Sequence, residues 1–196
     1  MLTQKGENTR NHIIRTSASL FNLKGYAGTS MSDILDAAGY SKGALYRTFT
    51  DKEELSMEAF KYNFSVIEKA VSDTMDLEST GKGKLFALTS FYSQGKVSQF
   101  LKGGCPILNT AIEADDTNPE LNHLVQKAFS SYRRKVEEAI RFGMEKGEFN
   151  NLSDYKEIAT FIVSAIEGSV VLAKAYKDGA LMQSNMKNLE NYINSI

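Results

Sequence analysis

Apolar positions along this chain recur at steps of three and four residues almost throughout. Alternation of period two is nearly absent, and the pattern predicts an all-α fold. The most informative stretch is Thr29 to Leu55, TSMSDILDAAGYSKGALYRTFTDKEEL. Met31, Ile34, Leu35 and Ala38 share one helical face. Ser30 with Asp33 three residues on makes a capping box at the start of that helix, and Gly39 stands where a left-handed residue ends it. Ser41 caps a second helix, Lys42 to Thr48, with Ala44 and Leu45 inward. Asp51 caps a third, with Glu54 completing a second box. Two short helices around a glycine turn, the second polar and basic outside, predict a helix-turn-helix whose second helix enters the major groove of DNA.

Upstream, residues 1–7 read as frayed. Asn8 or Thr9 begins a helix to about Lys24, with Ile13, Ile14, Ser17, Ala18, Leu20 and Phe21 buried and Gly25 as its stop. Downstream, the spacing predicts a long helix from Lys52 to about Thr80 and a turn over Ser79–Gly83. A fifth helix follows from Lys84 to Leu101, and a short sixth from Pro106 to Ala114. A seventh begins at Pro119, capped by Asn118, and closes at Gly147. The eighth, Ser153 to about Lys177, is apolar around much of its circumference and needs partners on two sides. A last amphipathic helix covers about Met182 to Ile196. This is an all-α chain of about nine helices, with a helix-turn-helix domain in residues 1–52 and a larger helical domain in 53–196.

Composition adds little to that picture except by exclusion. The 42% hydrophobic and 24% charged content is that of a globular chain rather than a disordered one. Cys105 is the single cysteine, so no intrachain disulfide forms, which suits a reducing cytosol. The N-terminus lacks a signal pattern and no apolar run approaches a membrane span; a cytoplasmic protein with no membrane partner is expected. The net charge of −1 is uneven. In residues 1–52, Lys5, Arg10, Arg15, Lys24, Lys42, Arg47 and Lys52 face only Glu7, Asp33, Asp36 and Asp51, which leaves an acidic remainder. A basic end on an acidic body supports DNA contact through that end.

Catalytic signals are missing. His12 and His123 stand in polar helical settings, and HExxH, GxSxG and Gly-rich phosphate loops are absent. Asp115-Asp116 with Glu113 lacks the glycine-centred loop of a calcium site. No enzyme, metal or cofactor is expected. For DNA the candidates converge. With Leu45 and Phe49 inward, Lys42, Tyr46 and Arg47 project together. Arg47 suits a guanine edge or a phosphate, and Tyr46 a thymine methyl or a phosphate. Gly43 lets the backbone approach the duplex. Thr29 and Ser30 at a helix start, and Lys52 at the next, are phosphate candidates; Ser41 and Thr48 bound the recognition helix.

The motif residues Ile14, Ala18 to Phe21, Gly25-Tyr26, Thr29-Ser30, Ile34, Ala38-Gly39, Ser41 to Tyr46, Phe49, Lys52 and Leu55 together resemble the TetR/AcrR transcriptional regulators in order and spacing. Tyr40 stands where that family usually has a small aliphatic residue, and Thr48 where histidine is common. The resemblance implies that Thr29, Lys42, Gly43, Tyr46, Thr48 and Lys52 face an operator. It also implies that the larger domain folds around a ligand cavity, for which Phe60, Phe64, Phe91, Tyr92, Phe129 and Tyr132, with Asn109 and Glu113 as polar groups, are candidates. It implies further that the last two helices pair with those of a second copy; Ile166, Ser169, Val170, Ala173, Leu189 and Ile193 are the candidates there. The expected protein is a homodimeric, ligand-responsive repressor, released from a palindromic double-stranded DNA operator by an apolar or aromatic small-molecule effector. The alternative is a ligand-binding or protein-interaction helical module without DNA binding.

Overall fold

A computed structural model of the chain describes residues 4–149 and 154–196. Among the described residues there are ten helices and no strand: α1 Gln4–Lys24, α2 Met31–Ala38, α3 Lys42–Thr48, α4 Lys52–Met75, α5 Gly81–Ser93, α6 Val97–Phe100, α7 Pro106–Ala114, α8 Pro119–Glu145, α9 Tyr155–Tyr176 and α10 Gly179–Ser195.

The chain forms two compact units. The first comprises Met1–Val66 together with Leu101–Gln126, so it reaches past residue 52 and takes in α7. Its core is Ile13, Ile14, Ile34, Ala38, Leu45, Phe49 and Leu55, with Phe21, Leu35 and Tyr40 packed at the margin. The box at α2 closes as expected: Asp33 N–H donates to Ser30 Oγ, and the Asp33 carboxylate accepts from Ser30 N–H. Gly39 ends α2 at φ +69°, a conformation favourable to glycine. The box at α4 is displaced by one residue. Glu54 N–H donates to Asp51 Oδ1, but the Glu54 carboxylate takes the Thr50 N–H rather than that of Asp51. At the N-terminus α1 is already helical from Gln4, earlier than the expected start, and residues 1–3 lie outside the described residues.

The second unit comprises Ile67–Phe100 and Lys127–Ile196. Helix α10 packs on α9 and on α5. Leu85, Leu88, Phe91, Val136, Ile140, Ile162, Ile166, Met186 and Ile193 are buried there. Gly81 and Gly143 let α5 and α8 touch backbone to backbone; a Cβ at Gly81 would fall 2.5 Å from Gly143 Cα. Two expectations change in this unit. The single helix Lys84–Leu101 is two, because Gly95 turns the chain at φ +65° after α5 closes at Gln94. The start of α5 is also earlier, at Gly81, since Thr80 caps it through the Gly83 N–H.

Helix α9 bears on a third expectation, that no segment suits a membrane span. By length and composition it is long and apolar enough to cross a bilayer, although its charged residues interrupt every continuous apolar run. In this fold Ala159, Ile162, Val163 and Ile166 face the core beside the buried Glu167 and Ser169, while Phe161, Val171 and Leu172 remain exposed. Its N-cap is Asp154, whose carboxylate accepts from Lys156 and Glu157 N–H. The expected start at Ser153 lies outside the described residues.

Candidate nucleic-acid interface

Helix α3 has only seven residues, too few to hold its shape by propensity alone. Three features hold it. Ser41 Oγ accepts the Ala44 N–H at its start, and Leu45 (0% exposed) and Phe49 (1%) anchor its inner side. Arg10 lies over the Phe49 ring at 5.0 Å and reaches the Glu58 carboxylate at 3.1 Å, which ties α1 to α4 behind it. With the inner side fixed, Lys42, Gly43, Tyr46 and Arg47 are exposed together, and open space surrounds the Gly43 Cα. Lys42 Nζ lies 5.9 Å from the Tyr46 ring centroid. Arg47 Nε donates to Gly43 O, so the guanidinium lies along α3.

Other candidates are placed differently. Thr29 is fully buried and its hydroxyl donates to Gly25 O at 2.7 Å, so it organises the α1–α2 turn and presents no hydroxyl to a phosphate. Ser30 is exposed, but its N–H and hydroxyl are engaged by Asp33, whose carboxylate occupies the anion position at the start of α2. Those bonds, and Lys24 at 3.1 Å, hold the Asp33 carboxyl well below the usual carboxylate range. Thr48 is half-buried and donates to Ala44 O. Lys52 places its ammonium 4.2 Å over the Tyr26 ring. Burial, then Glu53 and Asp51, push the Tyr26 phenol up from its ordinary value.

Sequence reasoning passed over Asn22 and Asn63, and took Tyr26 only as part of the motif. Asn22 is buried near the end of α1 and donates to Lys102 O and Gly104 O, while Asn63 donates to Ala18 O. A polar residue on an otherwise apolar face was the available signal.

The ligand candidates divide between the units. Phe60 and Phe64 stack at 6.4 Å in the first, where Asn109 and Glu113 also lie. Phe60 and Glu113 border a void of about 20 Å³, room for a single water. Asn109 is committed to Asn22 and Gly103 O, so it braces α1. In the second unit Phe91 meets Tyr92, and Tyr92 stacks on Tyr132 at 6.5 Å. Phe129 borders a cavity of about 330 Å³ with Arg133, Thr160, Val163, Ser164 and Glu167, none of which was a candidate. Of the dimer candidates, Ile166, Ser169, Val170, Leu189 and Ile193 are buried in the protomer's own core and Ala173 is half-buried. The side of α9 turned to solvent instead carries Phe161, Ser164, Gly168, Val171 and Leu172.

Comparison with known proteins agrees with this architecture. Residues 13–59 match the family model for bacterial regulatory proteins of the tetR family, and residues 81–189 match the tetracyclin repressor-like C-terminal domain. The chain belongs to the TetR family. It is a helix-turn-helix transcriptional regulator by family and not an enzyme. The HTH-type transcriptional regulator YxaF of Bacillus subtilis (strain 168) is 30% identical over 180 residues, covering 90% of each chain. A TetR-family regulator from Cytophaga hutchinsonii superimposes with a TM-score of 0.94 at 33% identity, covering 100% of this chain and 98% of its own. CifR, a TetR-family regulator solved with a 26-bp double-strand operator, shares the fold at a TM-score of 0.81 and 19% identity, covering 92% of this chain and 94% of its own. The first TetR match spans α2, α3 and the start of α4, the elements that carry the exposed Lys42–Arg47 row.

Proposed function

We propose that this TetR-family chain is a cytoplasmic repressor that binds a palindromic double-stranded DNA operator as a homodimer and leaves it when a small-molecule effector binds. The outward row Lys42, Gly43, Tyr46 and Arg47 on a helix clamped by Leu45 and Phe49 carries the reading. It presents two cations, a phenol and a bare backbone on one face. Arg10 and Lys24 are held by carboxylates, whereas no carboxylate among the described residues lies within ion-pair distance of Lys42 or Arg47. Those two charges are free for phosphates and base edges. CifR, which shares the fold, is bound to operator DNA.

Residues 1–52 form the DNA-binding domain in this reading and 53–196 the effector-binding and dimerisation domain. An apolar or aromatic effector acts only through better binding to one arrangement of the dimer than to the other. The second copy docks on the solvent side of α9, where Ser164 and Gly168 permit close approach between Phe161 and Leu172. A mobility shift with the DNA flanking this gene tests the reading. Wild type retards a fragment containing an inverted repeat, with affinity falling steeply as salt rises. Lys42→Ala and Tyr46→Ala abolish the shift and keep the dimer. Undiminished affinity in both variants overturns the assignment of α3 as the reading helix, and a salt-independent interaction favours a protein-binding module instead.

A further inference from the structure

Glu113 stands on α7, far along the sequence from α3, and is half-buried. Its Oε2 accepts the backbone N–H of Tyr26 at 2.7 Å. Gly25, at φ +79°, makes room for it: a Cβ built there would fall inside the Glu113 carboxylate. The turn so held begins α2 and fixes Thr29, whose hydroxyl donates to Gly25 O at 2.7 Å. The same turn carries the Tyr26 ring, stacked on Phe21 at 6.0 Å, and over that ring lies the Lys52 ammonium at 4.2 Å. One turn earlier on α7, Asn109 Nδ2 donates to Asn22 Oδ1 at 3.0 Å and to Gly103 O at 2.9 Å. Asn22 in turn donates to the carbonyls of Lys102 and Gly104. Two side chains four residues apart on α7 therefore grip the last turn of α1 and the loop after it.

We propose that Glu113 is a positioning residue for DNA contact: it clamps the Tyr26 amide, and through the Tyr26 ring sets where Lys52 offers its charge. This rests on the reading of the chain as a DNA-binding regulator. A charged acceptor on a backbone N–H is stronger than a neutral one and strongly directional. Loss of it frees the α1–α2 turn, and with it both the start of α2 and the platform under Lys52. The Tyr26 amide is then the first group to report a displacement of α7.

The test uses full-length protein and the flanking-DNA fragment that wild type retards, with Glu113→Ala, Glu113→Gln and Tyr26→Leu. Glu113→Ala loses about tenfold in affinity and its Tyr26 amide exchanges faster with solvent. Glu113→Gln retains an acceptor oxygen and recovers most of both. Tyr26→Leu keeps the N–H bond to Glu113 but removes the ring, and lowers the slope of log affinity against log salt by about one phosphate contact. A helical spectrum and melting temperature close to wild type accompany each. Equal affinity of wild type and Glu113→Ala on a fragment that both retard overturns the inference alone. So does a Gln variant as impaired as the Ala variant. Wild type that retards no fragment overturns the DNA-binding reading and the inference with it. Should Glu113→Ala fail to fold, Tyr26→Leu decides: an unchanged salt slope removes the platform role on which the clamp acts.

Discussion

Helix α3, seven residues long, shows how few side chains fix an element. Leu45 and Phe49 contribute burial and Ser41 a cap; everything exposed on α3 is then left to contact a ligand. The two roles separate by mutation. Leu45→Ala removes a fully buried side chain and is expected to cost about 2–5 kcal/mol, read by urea unfolding. Lys42→Ala leaves unfolding within about 0.5 kcal/mol of wild type while abolishing the mobility shift. Asp33 gives a pH signature at the same scale. Its folded-state carboxyl is depressed by the Ser30 hydroxyl and N–H and by Lys24. The unfolded chain therefore takes up the proton first as pH falls. The stabilisation is complete above the ordinary carboxyl value and is lost as pH drops through the depressed one. The melting-temperature gap between wild type and Asp33→Asn is expected to be widest near neutrality and to close in strong acid; a gap that widens with acid refutes this.

Elements are where the pattern of apolar residues both succeeded and misled. Periodicity located α2, α3, α7, α8 and α10 because each buries one stripe, and caps such as Ser30, Ser41 and Asn118 marked their starts. The break at Gly95 was not legible, since an isolated glycine in a helical pattern is tolerated as often as not. Helix α9 was expected to need partners on two sides; the side buried in the protomer's own core is the one carrying the residues expected to meet a second copy. Ile166 and Val170 are buried in the protomer's core, and the face bearing Phe161 and Leu172 is largely exposed, with the Phe161 ring edge-on to Tyr192 of α10 at 4.8 Å. Sequence spacing gives a helix its faces without naming what each face meets. Replacing Phe161 and Leu172 together by Glu is expected to yield a monomer in light scattering with helical content intact. A persisting dimer places the partner elsewhere. At the contact of α5 with α8, Gly81→Ala puts a Cβ against the Gly143 backbone, which has no rotamer to yield. A loss of about 1–3 kcal/mol in chemical unfolding is expected.

For the whole molecule, a net charge of −1 conceals an uneven distribution. Two of the basic groups in the first 52 residues are committed to carboxylates: Arg10 to Glu54 and Glu58, and Lys24 to Asp33. The basic charge without a carboxylate partner is smaller than composition suggests, and α3 contributes Lys42 and Arg47 to it. The sequence by itself determined the helical class, the helix-turn-helix, its caps and the outward face of α3, because those follow from short-range spacing and backbone chemistry within about 25 residues. Only the tertiary structure decided that Thr29 is buried and that Asn109 and Glu113 brace α1. It alone decided that the side of α9 bearing Ile166 and Val170 is the inner one. Each of these depends on which distant surface comes to lie against a given side chain, and that is set by packing of the whole core rather than by any local pattern.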